Sequence, residues 1–297
     1  MISVIIPAHD ESAVIDRCLG PMIQGARPGE LEVLVVCNGC SDDTPDRARR
    51  YGDLVRVIET DVASKSHALN LGDAAATGFP RFYVDADIEL PLESIRKVAR
   101  ILETGRVHGA APRIEVDLRD RGWSIRAYYR VWTVLPYIQR GMMGSGVYAI
   151  SAEGRRRFER FPDIIADDAF VRHLFQPHER CSVKDAYFRM TPPHTLESLI
   201  HINVRRHVGR HEMAERFPEM ARGDFSEQKT ALLRLMHSPL WWPAIAVYVY
   251  ARVRTLWRFR RKLRRGRHLE WNRDESSRRP RKEGSVPSDR DAASWRG

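Results

Sequence analysis

Short apolar runs alternate with amphipathic segments through the first hundred residues, and this alternation limits the possible folds more than any other feature. The apolar runs begin at Ile2, Leu31, Val55 and Phe82, and segments with apolar residues at helical spacing lie between and after them. A continuous apolar run is typical of a strand buried on both faces, and strands that alternate with helices form parallel sheets with right-handed crossovers. The sequence therefore predicts an α/β fold with a mostly parallel central sheet flanked by helices.

The same patterns predict the approximate bounds of the elements. Strands are expected at 2–8, 31–37, 55–59, from residue 82 and at 108–117, and helices at 14–23, 42–51, 64–76, 92–102 and 123–137. In parallel sheets, ligands bind beyond the carboxyl ends of the strands. Residues 7–11, 37–43 and 85–89 should therefore meet at one edge of the sheet.

Composition limits the class of protein. The chain has 297 residues, 43% of them hydrophobic, which allows one large domain with appendages and an ample core. No apolar run reaches the roughly 18 residues of a membrane-spanning helix, and residues 1–7 lack the charged front of a signal peptide. The four cysteines (Cys18, Cys37, Cys40, Cys181) are too few for a disulfide framework. We therefore expect a cytoplasmic protein.

The net charge of +10 is concentrated in one segment. Nine arginines or lysines and no acids lie between Arg252 and Arg267, so the first 250 residues are close to neutral. A basic groove across the fold is not expected, and nucleic acid is an improbable partner.

Two carboxylates, Asp85 and Asp87, follow the apolar strand that begins at Phe82. In an extended chain both point to the same side, where they could hold one Mg²⁺ or Mn²⁺ ion. Ala86 between them is small enough for close approach of a ligand. The alternative is a strand end with two solvated carboxylates, because this short pattern is common.

Lys65 lies at the start of a predicted helix that Ser64 should cap. Free N–H groups and a cationic side chain at that position favour anions. The alternative is an exposed lysine without a function.

Four motifs in order make the sequence similar to the family 2 glycosyltransferases. They are residues 3–11 (SVIIPAHDE), 36–44 (VCNGCSDDT), 65–70 (KSHALN) and 85–87 (DAD). The resemblance covers roughly residues 1–225 and implies the glycosyltransferase A fold, with a Rossmann-like nucleotide-binding half and an acceptor half. It also implies a nucleotide-sugar donor, a divalent cation and inversion at the anomeric carbon. The donor-binding residues that it implies are Pro7, His9, Glu11, Asn38, Lys65, Asn70, Asp85, Ala86 and Arg206, with Asp85 and Asp87 as metal ligands.

One motif departs from the family. The second strand usually ends with an acid that meets the nucleotide base, and Cys37-Asn38 occupies that place here. Asn38 can still donate to and accept from a base edge, so UDP-sugar and GDP-sugar donors both remain open. Cys37 and Cys40 also form a C-x-x-C pattern, whose use for metal or redox chemistry is the less favoured interpretation.

The acceptor half contains two further candidate regions. Gly144, Ser145 and Gly146 form a glycine-rich loop that, in the family, borders the donor sugar and the acceptor. Asp167-Asp168 resembles the family's acidic pair, with Asp168 favoured over Asp167 as the base that takes the acceptor's proton. The alternative is that this pair only caps a helix.

Residues 192–195 and 205–210, the latter with Arg205, Arg206 and Arg210, correspond in position to the family's arginine-bearing loop and helix. The Gln-x-x-Arg-Trp motif of polymer-forming members is missing there, and no membrane channel accompanies the chain, so a single transfer to a hydroxyl acceptor (glycan, lipid or small molecule) is expected. His194 or His207 is a possible extra metal ligand, although lone histidines are more often structural.

Residues 239–251 form an aromatic, apolar run that is too short to span a bilayer. Followed by the basic segment, this run is expected either to lie on an anionic membrane surface, at the inner face of the cell membrane, or to pack on the domain. The predicted organisation is a catalytic domain at 1–225, C-terminal helices at 226–268 and a disordered tail at 269–297.

The expected function is an inverting, metal-assisted glycosyltransferase (EC 2.4). A sugar nucleotidyltransferase is a weaker alternative, because residues 7–11 are not the glycine-rich loop that it requires. The other alternative is an inactive scaffold that binds a membrane or nucleic acid through its basic tail. The sequence leaves the sugar, the base, the acceptor and the oligomeric state open.

Overall fold

The structure, a computed structural model, describes residues 1–139, 146–220 and 226–264. Its centre is an eight-stranded sheet in the order β3-β2-β1-β4-β7-β6-β8-β5. The strands are β1 Ile2–Ala8, β2 Leu31–Asn38, β3 Val55–Thr60, β4 Arg81–Val84, β5 Ile88–Glu89, β6 Gly109–Val116, β7 Val147–Ile150 and β8 Arg180–Met190.

Helices flank this sheet. They are α1 Ile15–Ile23, α2 Thr44–Arg49, α3 Lys65–Ala75, α4 Leu92–Glu103, α5 Trp123–Trp132, α6 Pro136–Gln139, α7 Ala152–Arg155, α8 Asp167–His173, α9 Leu196–Arg216, α10 Ser226–Met236 and α11 Trp242–Arg264. The predicted elements of the first 130 residues are all present, with ends that differ by a few residues. Ser64 caps α3 as expected, since its side chain accepts a hydrogen bond from the His67 N–H.

The N-terminal half of the sheet is parallel. β1 pairs with β2 and with β4, and β2 pairs with β3, all in the parallel sense. Ala8 at the end of β1 lies opposite Cys37 near the end of β2. The carboxyl ends of β1, β2 and β4 therefore meet at one edge, as the sequence predicts.

The other half of the sheet is mixed. β7 pairs antiparallel with both β4 and β6, while β6 and β8 are parallel. The β6–β8 register shifts between Pro112 and Arg113, where proline cannot donate a ladder hydrogen bond. With helices on both faces, the observed architecture confirms the predicted α/β class with a mostly parallel sheet.

A separate apolar cluster joins the C-terminal helices to the rest of the fold. Tyr128, Tyr129 and Trp132 of α5 are buried in it, together with Tyr248 and Ala251 of α11. These three aromatic residues of α5 are thus part of the core, whereas Trp123 at the start of the helix is 65% exposed. α11 packs against α5 and α9, so the inner face of this helix is part of the folded unit.

The outer face of α11 is strongly apolar. Within the described ranges, nine of the fourteen exposed large hydrophobic residues lie between Leu233 and Leu263. No helix among the described residues is long and apolar enough to cross a bilayer. The predicted disordered tail and the basic residues 265 and 267 lie outside the described residues.

Candidate active site

A cavity of about 400 Å³ opens at the carboxyl ends of β1, β2 and β4. It lies between the sheet and the helices α5, α8 and α9. Most of the sequence-predicted site residues line it: Pro7, His9, Glu11, Asn38, Lys65, Asp85, Ala86, Asp87, Gly146, Asp167, Asp168 and Arg206. Gly144 and Ser145 lie outside the described residues.

The two carboxylates of the D-x-D motif lie in a turn after the strand. β4 ends at Val84, and the Ile88 N–H donates to the Asp85 carbonyl at 3.1 Å to close the turn before β5. The expectation that an extended strand carries both carboxylates is wrong in this detail, because the chain reverses to form β5. Both side chains still line the cavity, so the turn keeps them accessible to one ligand.

Lys65 connects the D-x-D motif to the acidic pair. Its Nζ lies 2.8 Å from Asp85 Oδ1 and 2.9 Å from Asp167 Oδ1. Burial opposes the charged form of Lys65, but Asp167 and Asp85 outweigh it and raise the pKa of the ammonium. The side chain therefore stays charged and neutralises two carboxylates that approach it from different halves of the fold.

The members of the acidic pair have different environments. The side chain of Asp167 is only 4% exposed, and burial raises its pKa to about 6 although Lys65 acts in the opposite direction. The Tyr148 hydroxyl donates to Asp167 Oδ2 at 3.4 Å. Asp168 is more exposed, and its Oδ1 accepts a hydrogen bond from the Ala169 N–H at 2.7 Å. Both carboxylates line the cavity, and Asp168 is the more accessible of the two.

The pKa of Asp85 is shifted in the opposite direction from that of Asp167, although both carboxylates contact Lys65. Burial would raise its pKa, but Lys65, Arg205 and Arg206 together lower it. Its side chain is 40% exposed, so solvent reaches it through the cavity. The carboxylate is held ionised, which suits a ligand of a divalent cation.

Asn70 supports the acidic pair without lining the cavity. Its Nδ2 donates to the Phe161 carbonyl at 3.0 Å, and its Oδ1 accepts from the Phe161 N–H at 2.8 Å. Both polar atoms of the amide are therefore bonded to the segment that leads to α8. The structure assigns Asn70 to positioning this segment, in place of the donor contact that the resemblance implies.

Asn38 lies at the base of the cavity and is 2% exposed. Its Nδ2 donates to the Ala8 carbonyl at 2.8 Å, whereas its Oδ1 is buried and has no hydrogen-bond partner among the described residues. The His9 Nδ1 donates to the Asn38 carbonyl at 2.6 Å. An unpaired acceptor here would be satisfied by an N–H group of a nucleotide base.

Gly146, just before β7, lies directly against the D-x-D turn. Its carbonyl accepts from the Asp85 N–H at 2.8 Å, and its φ is +107°. A Cβ at this position would lie 2.8 Å from Ile88 Cγ1 and 3.5 Å from Asp85 Oδ2. Only glycine fits both the backbone conformation and the space.

Three lining residues were missed by the sequence analysis. Tyr148 of β7, Arg172 of α8 and Arg252 of α11 all face the cavity. Arg210 of α9, which belongs to the arginine-bearing segment predicted from the sequence, also lines it, one helical turn after Arg206. No local signal marked Arg252, because its position depends on how α11 packs.

The two histidines considered as metal ligands have other surroundings. His194 does not line the cavity, and its Nδ1 accepts from Arg121 Nη1 at 3.3 Å. His207 does line it, but lies beside Phe259, with ring centroids 5.6 Å apart. Neither forms a cluster with the D-x-D carboxylates among the described residues.

Among the described ranges, the one group of three potential metal ligands is Asp10, Cys40 and Asp42. Asp10 Oδ1 accepts from the N–H groups of Ser41 and Asp42, and Asp42 Oδ2 accepts from the Ser12 N–H. These carboxylates fix the loop after β2 against the loop after β1. We therefore assign this group to loop structure.

The sequence model of glycosyl transferase family 2 matches residues 3–160, which is more than half of the 297 residues. The chain belongs to glycosyl transferase family 2. The matched range contains all four motifs that carried the resemblance, and it ends shortly before the acidic pair.

Curated relatives align with part of this family 2 chain. Glycosyltransferase AglE of Haloferax volcanii is 34% identical over 91 residues, which is 29% of this chain and 30% of the relative. The probable glycosyltransferase YdaM of Bacillus subtilis is 35% identical over 94 residues, covering 29% of this chain and 22% of that protein. The chain thus spans less than a third of the length of these relatives.

Solved structures confirm that the family 2 chain has the glycosyltransferase A fold. The mannosyltransferase PcManGT of Pyrobaculum calidifontis, solved with GDP-Man and Mn²⁺, superposes with a TM-score of 0.60 at 20% identity, covering 86% of this chain and 87% of that one. S. aureus TarS (residues 1–349), solved with UDP, gives a TM-score of 0.51 at 16% identity, covering 93% and 94%.

Proposed function

We propose that this protein transfers a sugar from a nucleoside diphosphate donor to a hydroxyl acceptor, with inversion and one transfer per acceptor. The observation that carries the proposal is the convergence of Asp85, Asp87, Lys65 and the Asp167-Asp168 pair on one cavity. Family membership supports the reaction type, and the donors bound by PcManGT and TarS support nucleotide sugars as the donor class.

The donor half of the cavity suits a nucleotide. Asn38 Oδ1 offers an acceptor to a base N–H, while Lys65, Arg205 and Arg206 provide positive charge near the D-x-D turn. This arrangement favours a diphosphate between the turn and α9. The acceptor on Asn38 is compatible with the N–H groups of both uracil and guanine, so both donor types remain in the proposal.

Asp85 and Asp87 fit a Mg²⁺ or Mn²⁺ ion. Two carboxylates with substrate phosphate oxygens and water are a usual ligand set for such ions. When bound, the ion would stabilise the negative charge that develops on the diphosphate. Ionised Asp85 and the backbone of the tight turn preorganise the site.

Asp168 acts as the base in this proposal. As the acceptor oxygen attacks C1 of the sugar, the bond between C1 and the diphosphate oxygen breaks, and the acceptor's proton moves to the Asp168 carboxylate. A direct displacement of this kind inverts the configuration at C1. Asp167 is less suited to this role because it is buried and paired with Lys65.

The outer face of α11 is proposed to lie on an anionic membrane surface. Its exposed Trp242, Tyr250 and Trp257 are interspersed with arginines along the same helix, which matches an apolar layer beneath negatively charged headgroups. The inner face packs on α5 and α9, so contact with a membrane is proposed for the outer face alone.

Comparison of Asp168→Asn with Asp167→Asn tests the assignment of the base. Asn keeps the volume and the capping ability, so a pure capping role predicts a silent substitution. General-base assistance predicts that Asp168→Asn lowers the transfer rate by about 10² to 10⁴ while donor affinity stays nearly constant. Transfer is measured from several UDP- and GDP-sugars with Mn²⁺, and Asp53→Asn, an exposed carboxylate outside the cavity, is the control. Loss of transfer in Asp167→Asn alone would reassign the base to Asp167.

A further inference from the structure

The D-x-D turn is contacted from two sides. Its two carboxylates line the cavity, whereas the backbone carbonyls of the same two residues accept hydrogen bonds from side chains of α1. Arg17 Nη2 donates to the Asp87 carbonyl at 3.3 Å, and the Cys18 thiol donates to the Asp85 carbonyl at 3.8 Å. Neither Arg17 nor Cys18 lines the cavity. The first turn of α1 therefore contacts the backbone of both aspartates from outside the cavity.

The two aspartates of the turn are held by different kinds of contact. The Asp85 N–H donates to the Gly146 carbonyl at 2.8 Å, and the Asp85 carbonyl accepts from the Ile88 N–H at 3.1 Å. Asp85 is thus fixed by main-chain hydrogen bonds on both of its polar backbone groups. The Asp87 carbonyl is approached instead by the guanidinium of Arg17, a residue 70 positions earlier in the chain.

Arg17 is itself held by Glu89, two residues after Asp87. Arg17 Nε lies 3.4 Å from Glu89 Oε1, and the side chains are only 24% and 13% exposed. Glu89 Oε2 lies 3.5 Å from Arg189 Nη1 of β8. Among the described residues, Arg17 Nε has no hydrogen-bond partner, so its contact with Glu89 is an ion pair. The directional contact of the guanidinium is the hydrogen bond to Asp87.

The backbone of Asp87 determines where its carboxylate can lie. Mg²⁺ requires a nearly ideal octahedral arrangement of oxygen ligands at about 2.0 to 2.1 Å, so a small displacement of one ligand weakens binding. Groups that orient a metal ligand typically change metal affinity by about 10- to 100-fold when they are removed. Arg17 is placed to act in this way on the second carboxylate of the D-x-D motif.

We propose that Arg17 is a positioning residue for the divalent cation. Its guanidinium fixes the backbone of Asp87, so that the Asp87 carboxylate is directed to the same cation as that of Asp85. The inference rests on the proposed function, because it concerns the cation site of the same cavity. Arg17 itself contacts neither the donor nor the acceptor.

The charge of Arg17 has the opposite effect from its hydrogen bond. A guanidinium close to two metal ligands repels a divalent cation, and Glu89 offsets this repulsion. On electrostatic grounds alone, removal of the Arg17 charge would therefore strengthen cation binding. Loss of the contact with Asp87 would weaken cation binding. The sign of the change in affinity distinguishes these two effects.

The test is isothermal calorimetry of Mn²⁺ binding to the full chain, saturated with whichever of UDP and GDP binds the wild type. Arg17→Met keeps an unbranched side chain but removes the donor, and it is expected to weaken Mn²⁺ binding by about tenfold or more. Arg17→Lys, which retains a cationic donor, is expected to recover part of the affinity. The matched control is Arg96→Met, since Arg96 is 26% exposed and pairs with Glu30. Its Mn²⁺ affinity should equal that of the wild type.

A double variant keeps the test independent of the unpaired Glu89. Arg17→Met combined with Glu89→Gln removes one charge of each sign, so the net charge beside the D-x-D turn does not change. The loss of Mn²⁺ affinity should persist in this double variant. Glu89→Gln alone keeps the bond between Arg17 and Asp87, and it should lose less. In transfer assays, Arg17→Met should raise the Mn²⁺ concentration for half-maximal rate by the same factor, with little change in kcat at saturating Mn²⁺.

The alternatives give different results in the same experiments. Unchanged or stronger Mn²⁺ binding in both Arg17→Met and the double variant, with a lower melting temperature, would overturn the proposal, because Arg17 would then only stabilise the fold. An equal loss in Arg96→Met would overturn it as well, since the effect would not be specific to the turn. A wild type that binds nucleotide but no Mn²⁺ would refute the cation site of the proposed function and this inference with it, whereas normal wild-type binding that is insensitive to Arg17 refutes the inference alone.

Discussion

Replacement of Lys65 by methionine should reveal how much stability depends on its bridge between Asp85 and Asp167. The substitution keeps most of the side-chain length and removes the charge that lies 2.8 Å and 2.9 Å from the two carboxylates. Lys65 and Asp85 are both partly exposed. Solvent screening therefore limits the contribution of this ion pair to stability to on the order of 1 kcal/mol. The pair with buried Asp167 is the larger one, because removing one partner leaves an uncompensated buried charge.

The cost of that buried charge depends on pH. Because the pKa of Asp167 in the folded state, about 6, lies above its ordinary value of 3.8, the folded state binds this proton more tightly than the unfolded state. The stabilisation that proton binding by Asp167 provides is therefore fully present below pH 3.8 and is lost as pH rises through 6. The loss is roughly 3 kcal/mol, at 1.36 kcal/mol per pKa unit. Without Lys65, the pKa of Asp167 rises further, so Lys65→Met should lose roughly 2 to 4 kcal/mol at pH 8 but only about 1 kcal/mol at pH 5.

Urea unfolding at pH 5 and pH 8, with a chelator and without nucleotide, measures this difference. A double-mutant cycle with Asp167→Asn isolates the pair, and the expected coupling is about 1 to 3 kcal/mol at pH 8 and smaller at pH 5. Lys97→Met is the control, since its exposed Nζ donates to the Asp185 carbonyl and pairs with no carboxylate of the described residues. A destabilisation of Lys65→Met that is equal at both pH values, or a coupling of zero at pH 8, would refute the bridge as described.

Three other predictions concern separate parts of the fold. Asp87→Ala should abolish transfer and the cation-dependent part of nucleoside diphosphate binding while the melting temperature changes little; full transfer with Mn²⁺ would remove Asp87 from the metal site. Asp73→Asn should cost about 3 to 5 kcal/mol in urea unfolding, because the partly buried Arg81 and Arg155 each lose a charged partner 2.7 Å away, whereas Asp46→Asn in an exposed pair should cost less than 1 kcal/mol. Trp242→Ser should weaken sedimentation with anionic vesicles, more so in high salt, whereas Trp123→Ser on α5 should not; equal effects would place the membrane face elsewhere.

The sequence predicts the parallel half of the sheet well, because the pattern that identifies each strand or helix lies within that element itself. The apolar runs of β1 to β3 and the helical spacing of α1 and α4 can be read without knowing their neighbours. The meeting of the D-x-D motif with the first two loops also follows, since parallel strands place their carboxyl ends at one edge. The motif's turn was not predicted, because the reversal into β5 depends on pairing with β8, about a hundred residues later in the chain.

Contacts between segments that are distant in the sequence account for the other differences between the predicted and the observed site. Asn70 and Phe161 are 91 positions apart, and nothing near Asn70 in the sequence indicates that its amide is used by a backbone segment of the acceptor half. Arg252 enters the cavity only because the apolar inner face of α11 packs on α5 and α9. The sequence showed both the apolar run and the basic segment, but which arginine would face inward is decided by the helix rotation that this packing sets.

The bridge made by Lys65 also bears on which acid of the pair is the base. Asp85 is a member of the bridge and, in the proposed function, a ligand of the cation. A divalent cation held by Asp85 would repel Lys65, and donor phosphate oxygens would then be the better partners of its ammonium group. Asp167 then loses the interaction that opposes its burial, so its pKa should rise above the value of about 6 that it has in the bridge. A protonated Asp167 cannot accept the acceptor's proton at neutral pH, whereas Asp168 reaches the cavity from the first turn of α8, where the helix N-terminus favours negative charge. Donor binding would thus direct proton acceptance to Asp168, and Asp167 would serve to hold Lys65 in place until the donor arrives.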